Sequence, residues 1–146
     1  MKQSDIQLAS ELRTVVTRLI KMLRKHSITG MSLSLTERST LSLLDQYKEL
    51  LPNELASMEK ITSQSMSQIL NHLLELGYIN RRISTEDKRK SIISLSALGT
   101  TVLGQVRKER DSWLFQAITD TCSPEEIDLL KKALVPLRRL VDFDDN

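Results

Sequence analysis

The sequence comprises 146 residues, 40% of them hydrophobic and 27% charged, with a formal net charge of +2. This composition excludes a disordered chain, and no apolar run approaches the roughly 20 residues of a membrane span. The N-terminus lacks the apolar stretch of a secretory signal, and a single cysteine, Cys122, excludes an internal disulfide, so we expect one globular domain in the cytoplasm.

Apolar periodicity predicts three helices in the N-terminal part of the chain. The first runs from about 6 to 26, and its apolar stripe consists of Leu8, Leu12, Val15, Val16, Leu19, Ile20 and Leu23. After the break SITGMSLSL, Thr36 is predicted to cap a second helix that ends near Leu50. Asn53 is predicted to cap a third, short helix. Its expected inner positions are Leu55, Ala56 and Met58.

The next helix, capped by Thr62 and stopped by Gly77, has an unusual outer face. Its inner stripe is Met66, Ile69, Leu70, Leu73 and Leu74. Its outer row is Gln64, Ser65, Ser67, Gln68, Asn71 and His72. A solvated helix face is normally rich in Lys and Glu, the better helix formers. Uncharged donors and acceptors instead suit a recognition helix that reads base edges in the major groove of DNA.

A basic β-hairpin is predicted after this helix. Its strands are YINRRI and SIISLS, joined by STEDKRK, and the inner candidates are Ile79, Ile83, Ile93 and Leu95. Positions 81 to 90 contain five basic and two acidic residues, which leaves a local excess of three positive charges. A cationic hairpin suits a wing that contacts phosphates or a narrow minor groove.

Two further helices close the chain. The first spans about 97–119, and the second begins with Ser123 as cap, Pro124 at the first helical position and Glu126 closing a capping box. Pro136 is expected to kink or end the last helix. The order of elements predicts a mainly α fold with a small β-hairpin wing. We therefore expect a single domain, 1–146, with a winged helix-turn-helix DNA-binding lobe over 36–96 and dimerisation helices over 1–30 and 97–146.

The predicted partners follow from this arrangement. One recognition helix and one wing cover a single half-site of double-stranded DNA, and the terminal helices carry apolar stripes that a small lobe cannot cover. The sequence therefore predicts a homodimer on a pseudo-palindromic operator. No phosphate-binding glycine loop or nucleophile elbow is present, so we expect neither an enzyme nor a cofactor, and no metal site or membrane partner.

Four segments resemble the MarR family of bacterial transcription regulators. NELASMEKIT is similar to the first helix of the family's helix-turn-helix, and SQSMSQILNHLLELGYINR to its recognition helix and exit. EDKRKSIISLSALG is similar to the wing signature, and the flanking helices to the dimerisation region. The resemblance implies a regulator of bacterial or archaeal type, and we expect a repressor that a small aromatic or anionic ligand releases from DNA.

Carried over by position, the resemblance assigns candidate DNA contacts. In the recognition helix they are Ser63, Gln64, Ser65, Ser67 and Gln68, to which we add Asn71 and His72. In the wing the resemblance implies that Arg89 enters the minor groove and that Asp87 braces the wing by pairing with a nearby Arg. To these we add Arg82, Lys88 and Lys90 of the basic run as DNA contacts and Arg81 as a second bracing residue. The chain departs from the family pattern at three places. Ser96 replaces the commoner Thr at an apparent helix cap, Gln68 stands where many members carry Arg, and the turn Glu59-Lys60-Ile61 lacks glycine. A left-handed residue in that turn would cost about 1 kcal/mol.

Three alternatives stay open. His26, Arg110 and Trp113 either form an effector pocket for an aromatic anion, or the two cations make salt bridges or snorkel to solvent. Cys122 is either a redox-sensing thiol or an inert one; the family's sensing cysteine lies in the first helix, where this chain has none. The winged helix itself could be a protein-interaction module instead of a DNA reader.

Overall fold

The computed structural model describes residues 2–30 and 32–143, and in these residues it contains six helices and three short strands. In chain order they are α1 (Gln3–Lys25), α2 (Leu35–Tyr47), β1 (Glu49–Leu50), α3 (Pro52–Glu59), α4 (Ser63–Leu76), β2 (Ile79–Ile83), β3 (Ser91–Leu95), α5 (Ala97–Thr121) and α6 (Pro124–Val141). This confirms the predicted mainly α fold with a β-hairpin wing. Positions 1, 31 and 144–146 of the predicted domain lie outside the described residues.

The chain divides into two compact units, one ending at Arg110 and the other beginning at Asp111. The first unit holds α1 to β3 and the N-terminal part of α5, and the second holds the remainder of α5 together with α6. None of the helices in the described ranges has the length and apolar character needed to cross a membrane. The division into a DNA-binding lobe and dimerisation helices stays a prediction.

The core of the first unit lies between α2, α3, α4 and the sheet. Its fully buried side chains are Leu33, Leu41, Leu44, Leu55, Met66, Leu70, Leu73 and Ile93. The predicted inner stripe of α4 is confirmed, since Met66, Leu70 and Leu73 are buried and the remaining two positions pack partly buried against them. Each buried aliphatic side chain contributes about 1.5–3 kcal/mol to folding, so this stripe fixes which face of α4 points outward.

The sheet has three antiparallel strands in the order β1-β3-β2, of which the sequence predicted two. In the hairpin, Arg81 pairs with Ile93, and on the other side of β3 Leu50 pairs with the same residue. Two residues are too few to show alternation, so β1 was not recognised, and the predicted extension of the second helix to Leu50 is wrong. The inner position predicted for Ile83 is also wrong: it is 63% exposed, because the hairpin extends past the core that buries Ile79.

Two predicted N-caps are wrong. α2 is capped by Ser34 and not by Thr36: the Glu37 N–H donates to Ser34 Oγ (3.0 Å), and the Glu37 carboxylate accepts from the Ser34 N–H (2.8 Å). This capping box satisfies two backbone donors at once, which one hydroxyl cannot do. α3 begins at Pro52, whose fixed φ suits the first helical position, so Leu51 and not Asn53 is the N-cap residue.

Other boundary predictions had mixed outcomes. Met58 is 42% exposed and is not an inner position, because it falls outside the face that buries the preceding Leu-Ala pair. Pro136 does not end α6, which continues to Val141. The predicted caps Thr62, Gly77 and Ser123 are confirmed. Their geometry is the expected one, with Gly77 in the left-handed region at φ 80° and a capping box formed by Ser123.

Candidate nucleic-acid interface

The outer face of α4 is an exposed polar surface of the first unit. Its exposed residues include every predicted contact of this helix: Ser63, Gln64, Ser65, Ser67, Gln68, Asn71 and His72. The Thr62 hydroxyl accepts from the Ser65 N–H (3.0 Å) and donates to Ser65 Oγ (2.9 Å), so Ser65 is partly engaged in the cap. The two glutamines carry longer side chains one turn apart on this surface, where amide groups can reach base edges.

The turn between α3 and α4 sets the angle at which this face is presented. Lys60 is left-handed, at φ 57° and ψ 43°, and the N–H groups of Lys60 and Ile61 bond back to carbonyls of α3. The structure therefore confirms that a residue other than glycine takes this conformation. The turn keeps its tight geometry at a cost of about 1 kcal/mol that the packed helices offset.

His72 is held by a residue of α2 that the sequence did not single out. Its Nδ1 makes a short hydrogen bond with Glu37 Oε2, and the same carboxylate accepts the N–H of Ser34. The hydrogen bond and then the negative charge of Glu37 raise the pKa of His72. Burial raises the pKa of Glu37, but the hydrogen bonds from Ser34 and His72 outweigh it and leave that pKa lowered. A protonated His72 could donate to a phosphate through its second ring nitrogen.

The wing loop is organised by Ser84 and Asp87. Ser84 Oγ accepts from the N–H groups of Glu86 (3.2 Å) and Asp87 (3.3 Å). The Asp87 carboxylate accepts from the backbone N–H (3.0 Å) and Nε (3.2 Å) of Arg89, and these bonds lower the pKa of Asp87. The nearby arginine with which Asp87 pairs at the tip of the wing is Arg89. The side chain of Arg89 is nevertheless 92% exposed, so it projects from the wing.

The remaining cations of the wing differ in their surroundings. Lys88 and Lys90 are exposed beside Arg89 at the tip, and Arg81 is exposed on β2. Arg82 Nη2 pairs with Glu49 Oε2 of β1 at 2.9 Å, and both side chains are about half exposed. Exposed ion pairs contribute at most about 1 kcal/mol, so a phosphate can compete for Arg82. The Glu49 contact was missed because β1 was missed.

The other predicted site residues lie at the end of α1, on α5 and directly before α6. His26 is exposed at the C-terminal end of α1, Arg110 is half-buried on α5, and Trp113 is half-buried in the second unit. Arg110 lines a cleft with residues of α2, and His26 is not among the residues that line it. Cys122 is half-buried directly before the cap of α6. Among the described residues, no group of three His, Cys, Asp or Glu side chains could hold a metal ion.

These features define a class of protein. A short helix, a tight left-handed turn, a helix with a polar outer face and a cationic hairpin form a winged helix-turn-helix, the arrangement by which many proteins place a helix in the major groove. The polar face of α4 and the wing both belong to the unit that ends at Arg110.

Comparison with known proteins gives the family. Residues 33–91 match the MarR family. The chain is 32% identical to the HTH-type transcriptional repressor YetL of Bacillus subtilis, over 89% of this chain and 79% of YetL. Its structure is similar to that of a protein from Pseudomonas aeruginosa, with a TM-score of 0.85, 29% identity, and coverage of 99% and 100% of the two chains. It shares its fold with mutant MarR of E. coli solved with operator DNA (TM-score 0.67, 18% identity, 92% and 95% covered).

The chain belongs to the MarR family of winged helix-turn-helix transcription regulators. Membership confirms the resemblance inferred from the sequence. It also confirms that the protein is a DNA-binding regulator and not an enzyme, because the family consists of transcription regulators.

Proposed function

We propose that this protein is a homodimeric repressor that binds a pseudo-palindromic operator through α4 and the wing and leaves it when a small anionic ligand binds. The observation that carries the proposal is the exposed, uncharged face of α4 in the same unit as the projecting Arg89. The operator-bound E. coli protein and the repressor YetL, which share the fold and the family, support the DNA-binding and repressor parts.

A binding experiment should distinguish the DNA contacts of the wing from those of α4. Arg89 at the wing tip contacts the DNA backbone or the minor groove, and both carry little sequence information. Gln68 on α4 can instead form two hydrogen bonds to the edge of one base. Arg89→Ala should therefore weaken binding to all sequences. Gln68→Ala should change the preference at one base position, where a bidentate contact is worth about 1–3 kcal/mol.

The test is a fluorescence-anisotropy titration of the protein's own upstream DNA over a range of salt concentrations. Arg89→Ala should flatten the dependence of log affinity on log salt by about 0.9, the value for one phosphate contact. Lys132→Ala, which removes the same charge from exposed α6, should leave the slope unchanged. Equal slopes for wild type and Arg89→Ala would overturn the wing assignment. Binding without salt dependence would instead favour a protein-interaction module.

The homodimer is supported by apolar surface on the terminal helices. Neither α1 nor α6 has a fully buried residue in the described chain. Leu8 of α1 is 63% exposed and Leu129 of α6 is 65% exposed. Large apolar surfaces of this kind are normally covered by a partner, and a two-fold dimer would present two winged lobes to two half-sites.

Sedimentation equilibrium tests the dimer with two neighbouring variants. Leu19→Gln lies in the apolar stripe of α1, and twofold symmetry doubles its loss of about 1.5–3 kcal/mol of burial, so the dimer should weaken about 100-fold or more. Arg18→Gln, one residue away but outside the stripe, should have little effect. A monomeric wild type at micromolar concentration would contradict the proposal.

For the ligand, the proposal uses the residues that the sequence predicted for an effector pocket: His26, Arg110 and Trp113. Arg110 supports it, because its Nε is buried and makes no hydrogen bond to the described residues. A ligand releases DNA only if it binds the non-operator conformation more tightly. The redox alternative is tested by Cys122→Ser, which should abolish any oxidant-induced loss of DNA binding if the thiol is the sensor; an unchanged response excludes it.

A further inference from the structure

The hydrogen bond between His72 and Glu37 fixes which nitrogen of the imidazole carries a hydrogen. Although burial raises it, the hydrogen bonds from Ser34 and His72 leave the pKa of Glu37 lowered, so its carboxylate stays charged. A charged carboxylate only accepts hydrogen bonds, so the shared hydrogen belongs to His72 Nδ1. A neutral imidazole has one N–H group, and its Nε2 then only accepts. Nε2 therefore becomes a donor only when the ring takes up a second proton.

The second ring nitrogen lies at the outer face of α4. The side chain of His72 is 45% exposed, whereas that of Glu37 is 9% exposed and belongs to the capping box of α2. No residue that the structure describes forms a hydrogen bond with Nε2, the polar atom on the side of the ring away from Glu37. Gln68, one turn earlier, and Asn71 are exposed on the same helix. The ring is thus held from inside and has one polar atom left for a partner outside.

We propose that DNA binding takes up a proton at His72, whose Nε2 then donates to a backbone phosphate, while Glu37 holds the ring as a positioning residue. The proton comes from solvent, and no covalent bond to a heavy atom changes. Without this proton, Nε2 presents a lone pair to the phosphate oxygens, and the Glu37 carboxylate adds an uncompensated negative charge beside them. With it, the pair is neutral and offers a donor. The inference rests on the proposed contact of α4 with DNA.

The charged groups around this imidazole favour the protonated form. The hydrogen bond to Glu37 and then the negative charge of Glu37 raise the pKa of His72, and burial opposes them. Glu75, which lies one turn further along α4, raises the pKa of His72 by its charge as well. A bound phosphate would raise it again. DNA affinity should therefore be high below the raised pKa of His72 and should fall as pH rises through it.

The first test is an anisotropy titration of the upstream DNA at constant ionic strength and several pH values. Between about pH 6 and pH 9, wild-type affinity should fall at least about ten-fold, the value of one charge-assisted hydrogen bond. His72→Gln should abolish this fall. His26→Gln removes the other of the two histidines, at the end of α1, and should keep it. An affinity independent of pH, or an equal fall in wild type and His72→Gln, overturns the proposal.

Glu37→Gln separates the positioning role from a merely structural one. Glutamine can close the same capping box, and its amide oxygen can still accept from Nδ1, but its negative charge is gone. The midpoint of the fall should therefore move to lower pH, toward the ordinary histidine pKa of 6.5. A structural role alone would lower affinity by one factor at every pH. An unmoved midpoint in a folded Glu37→Gln variant overturns the role of Glu37.

The second test needs neither DNA nor a substitution at Glu37, so it decides the case if Glu37→Gln is unfolded by circular dichroism. In full-length His26→Gln, His72 is the sole histidine, and NMR shifts of its ring nitrogens report the tautomer. The neutral ring should carry its hydrogen on Nδ1; a hydrogen on Nε2 overturns the proposal. Absence of DNA binding at every pH would refute the proposed function together with this inference, whereas binding without pH dependence refutes the inference alone.

Discussion

The junction between α5 and the wing permits a sharp prediction about two glycines of one helix. A Cβ added at Gly99 would lie 1.9 Å from the carbonyl oxygen of Tyr78 and 2.8 Å from its carbonyl carbon, whereas ordinary contacts begin at 3.4 Å. A Cβ added at Gly104 would meet no atom within 4 Å among the residues that the structure describes. Both residues are inside α5, so the same substitution by alanine should have opposite effects on stability.

The cost at Gly99 follows from what must move. Because the clash is with the backbone, α5 and the Tyr78 peptide must move apart by roughly 1.5 Å. This movement breaks the hydrogen bond from the Ser96 N–H to Tyr78 O (3.0 Å) and strains the one from Ser96 Oγ to Gly77 O (2.5 Å). Overpacking at about 1–3 kcal/mol plus two weakened hydrogen bonds at about 1 kcal/mol each gives a loss of about 4 kcal/mol. Gly104→Ala should instead gain about 1 kcal/mol of helix propensity.

The measurement is thermal unfolding by circular dichroism at one matched protein concentration, since association contributes to apparent stability. At about 2–4 °C per kcal/mol, Gly99→Ala should lower Tm by roughly 8–16 °C and Gly104→Ala should raise it by about 2–4 °C. A Gly99→Ala variant that melts with the wild type would refute the close approach of α5 to Tyr78. If Gly104→Ala lowered Tm by a comparable amount, the loss in Gly99→Ala would reflect a general sensitivity of α5 to substitution and not the clash with Tyr78.

Two further predictions concern charge and backbone strain. The ion pair of His72 and Glu37 should stabilise the fold fully between pH 4.5, the ordinary pKa of a Glu, and pH 6.5, the ordinary pKa of a His. This stabilisation should disappear as pH rises through the raised pKa of His72, because the imidazole then loses its charge. His72→Gln should flatten this decline in a Tm–pH profile and Asn71→Gln should not; parallel profiles for wild type and His72→Gln would contradict the pair. Lys48 follows α2 at φ 71° and ψ −56°, so Lys48→Gly should raise stability by about 1 kcal/mol in urea unfolding, and a loss would argue against strain there.

The sequence predicted the parts of the fold that rest on long periodic patterns. The five apolar positions of α4 repeat at helical spacing over two turns, and Gly77 and Thr62 mark its ends, so its buried face followed from the sequence alone. Short elements gave no such pattern. The two residues of β1 are placed by pairing with β3, and the exposure of Ile83 depends on how far the hairpin extends beyond the core.

The partners of the predicted site residues were less predictable, because they are distant in sequence. Glu37 and His72 are 35 positions apart, and Arg82 and Glu49 are 33 apart. The capping box begun by Ser34, by contrast, offered a local signal, since its spacing is visible in the sequence. The exposure of the polar outer row of α4 and of Arg89 could be predicted from the sequence, whereas the partners of His72 and Arg82 could be found only in the structure.

The geometry of α2 explains how one helix contacts three neighbouring elements. Successive residues of a helix point about 100° apart, so three in a row face three directions. Here Glu37 bonds to α4, Arg38 enters the cleft against α5, and Ser39 reaches α3. A small movement of α2 about its axis therefore cannot change one contact without changing the other two.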